Sequence, residues 1–226
     1  LLNQVYEGRG YTLAWTQPSQ IADLKAMAEH TQDIGLRPAD FHIPELDKLL
    51  PAGNPLALGR EERIQAEILL SDSLLRLIHH TRYGKVDPRA IDKHWNHDEG
   101  PKAEALAADL GRALAAPNLK ATVTAMRQEP LFYSRLKEGL ARYRALAAAG
   151  GWPTIPKGPK LEPGVQDARV PIIRERLRIT GDYQGPLPIS GHLYGPELEK
   201  AVKRFQERHA LGVDGVIGPA TLAAMN

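Results

Sequence analysis

The sequence contains no cysteine among its 226 residues. This absence excludes disulfide bonds, thiolate zinc sites and any mechanism with a cysteine nucleophile from this chain. Long apolar runs are also missing, since no stretch approaches the roughly 18 apolar residues of a membrane-spanning helix. Charge of one sign is not in excess either, because 29 Lys and Arg offset 27 Asp and Glu, which leaves a formal charge of +2. Nothing in this balance requires a nucleic-acid partner.

The chain is long enough for one large domain or two smaller ones, and its 42% hydrophobic content is sufficient for a packed core. Its composition changes between residues 151 and 166, where four prolines and three glycines leave little room for a helix. We therefore expect one domain over residues 1–157 and a second over residues 158–226. Because Leu1 is not an initiator Met, we expect the chain to be a mature or excised piece.

Residues 1–157 show the periodicity of helices. The strongest helix is predicted over Arg60–Tyr83, where two apolar faces make the middle central and buried. An earlier helix is expected to begin at the N-cap Ser19 and to end at Gly35. The last is expected over residues 130–149, before two glycines. The two faces of the strongest helix comprise Ile64, Ile68, Ser71, Leu75 and Ile78, and Leu70, Leu74 and Leu77.

The C-terminal part is predicted to contain three short helices. The first follows Asp167 as its N-cap and turns its arginines, including Arg176, mostly outward. The other two begin with one device, a Gly-Pro pair after an apolar residue, at Gly195-Pro196 and Gly218-Pro219. Proline suits the first helical position because it lacks an N–H and has a helical φ. The chain is therefore predicted to be all-α, an irregular helical domain followed by a small three-helix domain.

Candidate catalytic and metal-binding residues are few. His79 and His80 are adjacent on a helix, so their side chains should diverge by about 100° and not converge on one ion. Residues 94–99 offer two histidines and two carboxylates, which could bind zinc in a metal hydrolase, but a polar surface loop is the preferred interpretation. Ser190 lies near His192, but no strand-to-helix elbow surrounds the pair. We predict no catalytic residue, metal ligand or cofactor.

The aromatic residues are expected to lie mainly in the core. This expectation applies to Trp15, Phe132, Tyr143 and Phe205, which occupy apolar positions of the pattern. Tyr194 differs because it stands directly before a helix start. It could pack against the following helix or face a ligand.

Two motifs in the C-terminal part form a specific combination. Phe205-Gln206 is followed by Asp214-Gly215-x-x-Gly218-x-x-Thr221. With these residues, the stretch 165–226 resembles the three-helix peptidoglycan-binding domain of many cell-wall enzymes, although Leu198 stands where that family often has Thr. The resemblance implies peptidoglycan as the ligand and polar groups near helix starts and loops as its contacts. For the Asp214-Gly215 pair, turn formation alone is the alternative to contact. The candidate ligand-binding residues are Tyr194, Lys203, Arg204, Gln206 and Asp214.

Four stretches of the first part carry a second resemblance, at residues 5–15, 33–42, 82–88 and 143–153. They include Arg9-Gly10-Tyr11, Arg82-Tyr83-Gly84 and Gly151-Trp152-Pro153. In these stretches the chain resembles the helical scaffold domain of the large multidomain L,D-transpeptidases of the bacterial envelope. That family carries a further catalytic domain with an acylated cysteine, and this chain has no cysteine to match it.

The two resemblances together imply the noncatalytic portion of a periplasmic or cell-envelope L,D-transpeptidase. Such a portion would hold the enzyme on peptidoglycan during cell-wall crosslinking, and a weakly binding module suffices because tethering raises the local substrate concentration. The implied partners are peptidoglycan and the catalytic domain, with no nucleic acid and no membrane span. A piece of such an enzyme is preferred over a natural protein without the catalytic domain. The competing hypothesis is a noncatalytic protein-interaction scaffold of the envelope, because three-helix packing alone explains most of the motif.

Overall fold

The computed structural model describes residues 1–51, 53–95, 102–127, 132–186 and 191–226. Across these ranges the secondary structure is helical, apart from two isolated antiparallel bridges, so the all-α prediction is confirmed. The chain forms two compact units, a first unit of residues 1–140 and a C-terminal unit of residues 141–226. The predicted domain division after residue 157 stays a prediction.

The helices are short except for one of 24 residues. Among the described residues, none of them combines the length with the apolar character that crossing a bilayer demands. The α-helices are α1 Leu2–Gly8, α2 Pro18–His30, α3 Ile43–Leu49, α4 Arg60–Tyr83, α5 Pro88–Ile91, α6 Ala103–Ala115, α7 Leu119–Met126, α8 Tyr133–Ala148, α9 Val170–Thr180, α10 Pro196–Arg208 and α11 Pro219–Met225. The 3₁₀ helices are Thr31–Ile34, Pro38–Phe41 and Pro55–Ala57.

Helix α4 is the central element of the first unit, and its predicted bounds are confirmed. Leu70, Leu74 and Leu77 are fully buried in the core of this unit, as expected for the middle of the helix. Ile64 and Ile68 were expected on a buried face, but this prediction is wrong, since their exposed fractions are 48% and 54%. Periodicity identifies an apolar face, and it does not tell whether another element covers that face.

A buried carboxylate in α4 fixes the N-terminal segment. Glu67 is 6% exposed, and its Oε1 accepts hydrogen bonds from the Tyr6 hydroxyl at 2.7 Å and the Ala14 backbone N–H at 2.5 Å. One turn later, the Ser71 hydroxyl accepts the indole N–H of Trp15 at 2.9 Å. Burial raises the pKa of Tyr6, so its hydroxyl stays protonated as a donor. The buried position of Trp15 is confirmed.

Two other expectations for the first part are wrong. Helix α2 begins at Pro18 after Gln17, not after Ser19, because proline takes the first helical position. Phe132 and Tyr143 were expected in the core, but they are 68% and 45% exposed, and no described residue of α8 is buried. The expected start of that helix at residue 130 lies outside the described residues. Gly35 ends the 3₁₀ helix that directly follows α2, and its φ of 83° is left-handed, as is typical of a glycine at a helix end.

The C-terminal unit contains the three predicted helices α9, α10 and α11 around one apolar core. Gly195 and Gly218 are the N-caps of α10 and α11, and each is followed by proline at the first position, so the predicted Gly-Pro helix starts are confirmed. The core also takes in Ile155, whose N–H donates to Oδ1 of Asn226 at 2.8 Å. Residues before 158 are therefore part of this compact unit.

The N-cap of α9 is Arg169, not Asp167 as predicted. Asp167 nonetheless supports this helix start, because its Oδ1 accepts the backbone N–H of Arg169 at 2.8 Å. Its carboxylate also accepts two bonds from the Arg169 guanidinium, each of 2.9 Å. These bonds lower the pKa of Asp167 from 3.8 to about 2.

We expect Asp167→Asn to lower stability at neutral pH, because asparagine keeps the capping oxygen and loses the charge. A lowered folded-state pKa contributes stability above the ordinary value of 3.8, and this stability is lost as the pH falls to about 2. The difference in urea-unfolding midpoint between the native chain and the variant should therefore shrink between these two pH values. A difference that stays constant over this range would contradict the assignment.

Candidate functional site

The connection between α10 and α11 is built around a turn at Asp214 and Gly215. After α10, Ala210 has a φ of 52°, and the N–H of Leu211 donates to the carbonyl of Gln206 at 2.9 Å. Gly215 then takes a φ of 75°, which favours glycine. The sequence prediction of a tight turn at Asp214-Gly215 is confirmed.

Gln206 holds this turn from inside the protein. Its side chain is 1% exposed, and its Oε1 accepts the backbone N–H of Gly215 at 2.9 Å. Its Nε2 donates to Oδ1 of Asp214 at 2.8 Å and to the carbonyl of Val216 at 3.0 Å. It also lies 3.3 Å from the hydroxyl of Thr221, at the start of α11. One buried amide therefore sets the backbone path of the turn.

Tyr194 supports the same turn from the other end. Its ring is fully buried beside Leu198, and its hydroxyl donates to the carbonyl of Gly215 at 2.5 Å. Burial raises the pKa of Tyr194, followed by the effects of Glu199 and Asp214, so the phenol remains a donor. Of the two alternatives for Tyr194, the structure shows the side chain packed in the core.

The outer face of the turn is charged. Asp214 is exposed, and its Oδ1 accepts the N–H of Val216 at 2.8 Å. This bond, followed by that from Gln206, lowers the pKa of Asp214. Lys203 pairs with Glu199 at 2.6 Å, and a Cβ built on Gly215 would lie 3.0 Å from the Cε of this lysine. The ammonium of Lys203 and the carboxylate of Asp214 therefore lie side by side at the surface of the turn.

The structure thus brings four of the five candidate residues to one turn. Tyr194 and Gln206 lie beneath it, while Lys203 and Asp214 lie at its surface. Arg204 is directed elsewhere, because its guanidinium donates to the carbonyl of Asp182 at 2.9 and 2.6 Å. The ligand-binding role of all five residues stays a prediction.

The imidazoles of His79 and His80 meet, which corrects the expectation that they diverge. Their Nδ1 atoms are 3.1 Å apart, because the ring rotamers compensate for the divergent Cβ directions. Burial lowers the pKa of both histidines. Among the residues that the structure describes, no group of three or more His, Cys, Asp or Glu side chains is placed to hold a metal ion.

The other two candidate sites fall partly or wholly outside the described residues. In the stretch 94–99, only His94 and Trp95 are described, and both are exposed. Ser190 is outside the described ranges, so the Ser190–His192 hypothesis stays untested. His192 is exposed, and its carbonyl accepts the backbone N–H of Asp167 at 3.0 Å.

Arg176 is a buried residue that the sequence analysis placed outward. It is 2% exposed, and its Nε donates to the carbonyl of Met225 at 2.6 Å. Its guanidinium carbon lies 3.9 Å from the centroid of the Trp152 ring. Its burial could have been identified from its position, because this arginine precedes Leu177 on the side of α9 that faces the core. The prediction that Arg176 faces outward was wrong because it considered only the charge of the side chain.

These features define an all-α protein whose small C-terminal helical unit presents a charged turn. Residues 166–225 match the family described as a putative peptidoglycan binding domain, which supports binding to the cell wall. Residues 1–140, more than half of the chain, match the family described as the Scaffold domain. The chain therefore belongs to the scaffold-domain family. No curated protein sequence matches it.

Proposed function

We propose that this chain is the noncatalytic portion of an L,D-transpeptidase of the bacterial envelope, located in the periplasm. In this proposal, residues 166–225 bind peptidoglycan and residues 1–140 provide a helical scaffold for a catalytic domain. The observation that carries the binding function is the family match of residues 166–225, which includes the whole turn between α10 and α11. The transpeptidase parent is supported by the resemblance of the four N-terminal stretches described above.

Binding would serve crosslinking, and with it cell shape, by raising the concentration of wall peptides near a tethered active site. The proposed contacts are the ammonium of Lys203 and the carboxylate of Asp214, which can engage the carboxylates and amines of peptide stems. Tyr194 and Gln206 would act by holding the turn, because their polar atoms are already bonded inside the protein. Arg204, the fifth candidate, is bonded to the carbonyl of Asp182 and would contact the wall away from this turn.

We propose that the two functional domains are residues 1–157 and 158–226. The boundary lies in a stretch of five consecutive exposed residues, 156–160, which includes two prolines. Limited proteolysis of the full chain should first cut in this stretch, because exposed connecting segments are preferred cleavage sites. First cleavage inside α9 or α4 would argue against this boundary.

Co-sedimentation of the full chain with purified peptidoglycan tests the binding function. The chain should pellet with the polymer, and Lys203→Gln should weaken retention by about three- to tenfold, because one charged contact is lost. Lys200→Gln is the matched control, since Lys200 lies on the same helix and pairs with Glu197 at 2.9 Å. Loss of the native chain to the supernatant would refute the proposed function. Equal retention of both variants would remove Lys203 from the proposed contacts.

A protein-interaction scaffold is the second candidate function, and one surface of the first unit favours it. Exposed Ile64 and Ile68 lie on α4, and Ile68 lines a groove of about 620 Å³ with Leu49 of α3. Apolar surface of this kind is common at sites of protein association. Pull-down from envelope extract, with and without muramidase digestion, distinguishes the two functions. Captured proteins that survive digestion would favour the scaffold, and loss of all captured material would favour wall binding.

A further inference from the structure

Four arginines converge on the three residues Thr180-Gly181-Asp182 at the C-terminal end of α9. Arg142 donates to the carbonyl of Thr180 at 2.6 Å, and Arg204 donates to the carbonyl of Asp182. Arg176 donates to the Thr180 hydroxyl at 3.1 Å, and Arg208 binds the carboxylate of Asp182 at 2.8 Å. All these residues belong to the C-terminal unit.

The positive charge of this arginine cluster is largely uncompensated. Arg208 has the carboxylate of Asp182 as its ionic partner. Within the described ranges, Arg142, Arg176 and Arg204 form no ion pair with a carboxylate, and their guanidinium groups donate to neutral oxygens. Four guanidinium groups therefore face one carboxylate. Burial, and then the charge of Arg208, lowers the pKa of Arg176, while the carboxylate of Asp182 acts in the opposite direction.

The cluster is accessible from solvent and adjoins an exposed aromatic ring. Arg142 is exposed, and the side chain of Arg208 is 39% exposed. Tyr143, next to Arg142 on α8, is 45% exposed and packs edge-on against Trp152 with ring centroids 6.4 Å apart. The face of Trp152 stacks on the guanidinium of Arg176. Planar guanidinium groups beside an aromatic ring suit recognition of a carboxylate carried on a peptide or sugar backbone.

We propose that the arginine cluster formed by Arg142, Arg176, Arg204 and Arg208 is a second binding site, which takes a carboxylate of the peptide stems of peptidoglycan. This inference rests on the proposed function and gives it a second contact surface, separate from the turn at Asp214. Arg142 and Arg204 supply the charge that has no carboxylate partner among the described residues. Trp152 stacks on Arg176, and Asp182 pairs with Arg208. These contacts fix the positions of the two guanidinium groups within the cluster.

The test compares sedimentation of the full chain with two forms of sacculi that are free of attached anionic polymers. One form is native, and in the other the carboxylates have been converted to amides. We expect retention of the Lys203→Gln chain, which lacks the carboxylate contact proposed at the turn, to be about tenfold weaker on the amidated form, because the remaining charge-assisted bonds to the carboxylates are lost. The double variant Arg142→Gln/Arg204→Gln, made in this Lys203→Gln background, should lose about as much on native sacculi and little further on the amidated form. This double variant leaves the Asp182–Arg208 pair intact.

Arg178→Gln is the control, because Arg178 lies on α9 and already pairs with Glu175 at 2.7 Å. Equal retention of the Lys203→Gln chain on both forms of sacculi overturns the inference, as does full retention of a folded double variant. In either case the proposed wall binding stands. Failure of the native chain to bind native sacculi removes the proposed function and this inference with it. The amidated arm uses the Lys203→Gln chain with its arginine cluster unchanged, so it remains decisive if the double variant unfolds.

Discussion

Replacement of Gln206 by leucine is expected to lower the free energy of unfolding by about 3 kcal/mol. The substitution keeps an apolar stem of similar size but removes the amide that binds the turn between α10 and α11. The backbone N–H of buried Gly215 then loses its acceptor, and the bonds to Asp214 and Val216 are lost as well. An unpaired buried donor costs about 1–3 kcal/mol, and each lost bond adds roughly 1 kcal/mol.

Equilibrium urea unfolding of the full chain measures this loss. Glu207→Leu is the matched control, because residue 207 follows on the same helix and is exposed. A surface substitution of this kind should change stability by no more than about 0.5 kcal/mol. Equal unfolding midpoints for the two variants would mean that the amide does not stabilise the turn.

The second large effect is expected for Phe205→Ala, at about 3–5 kcal/mol of unfolding free energy. Phe205 is fully buried in the C-terminal core. Its ring stacks on His209 with centroids 4.1 Å apart, and the guanidinium carbon of Arg208 lies 5.5 Å from its centroid. Truncation therefore leaves a cavity and removes the support of two neighbouring side chains.

Phe132→Ala is the control for this prediction. It makes the same chemical change at a residue that is 68% exposed, so the loss should be below about 1 kcal/mol. Calorimetry of both variants provides the measurement. A melting temperature that falls as much for Phe132→Ala as for Phe205→Ala would contradict the two placements.

Local chemistry made part of the fold predictable from sequence. The starts of α10 and α11 depend on a glycine N-cap and a proline, which act within one turn of helix. The bounds of α4 depend on flanking glycines and on one continuous apolar pattern. Each of these signals lies within a few residues of the chain, so it can be used without knowledge of the tertiary structure.

Exposure and buried polar contacts could not be predicted in the same way. Tyr143 and Ile68 lie at apolar positions of helices, yet their exposure depends on which elements pack there. The inward position of Arg176 indicates burial, but its acceptor, the carbonyl of Met225, is 49 residues away in sequence and could not be identified. Contacts across such a distance leave no periodic trace in the sequence.

The candidate site falls between these two cases. The turn at Asp214 and its proximity to Gln206 follow from eight residues of sequence. Tyr194 is different, because its hydroxyl reaches the carbonyl of Gly215 only after α10 has packed on the core. Four of the five candidate residues therefore meet at the turn, and the structure separates those beneath it from Lys203 and Asp214 at its surface.

The carboxylate of Glu67 has a consequence for hydrogen exchange. The backbone N–H groups of Ala14 and Trp15 lie outside any helix, where rapid exchange with solvent deuterium would be the default. Both point at Glu67 and are buried, so they can exchange only when the N-terminal segment leaves α4. Their exchange rates therefore report the detachment of the N-terminal segment from α4, although they belong to a loop.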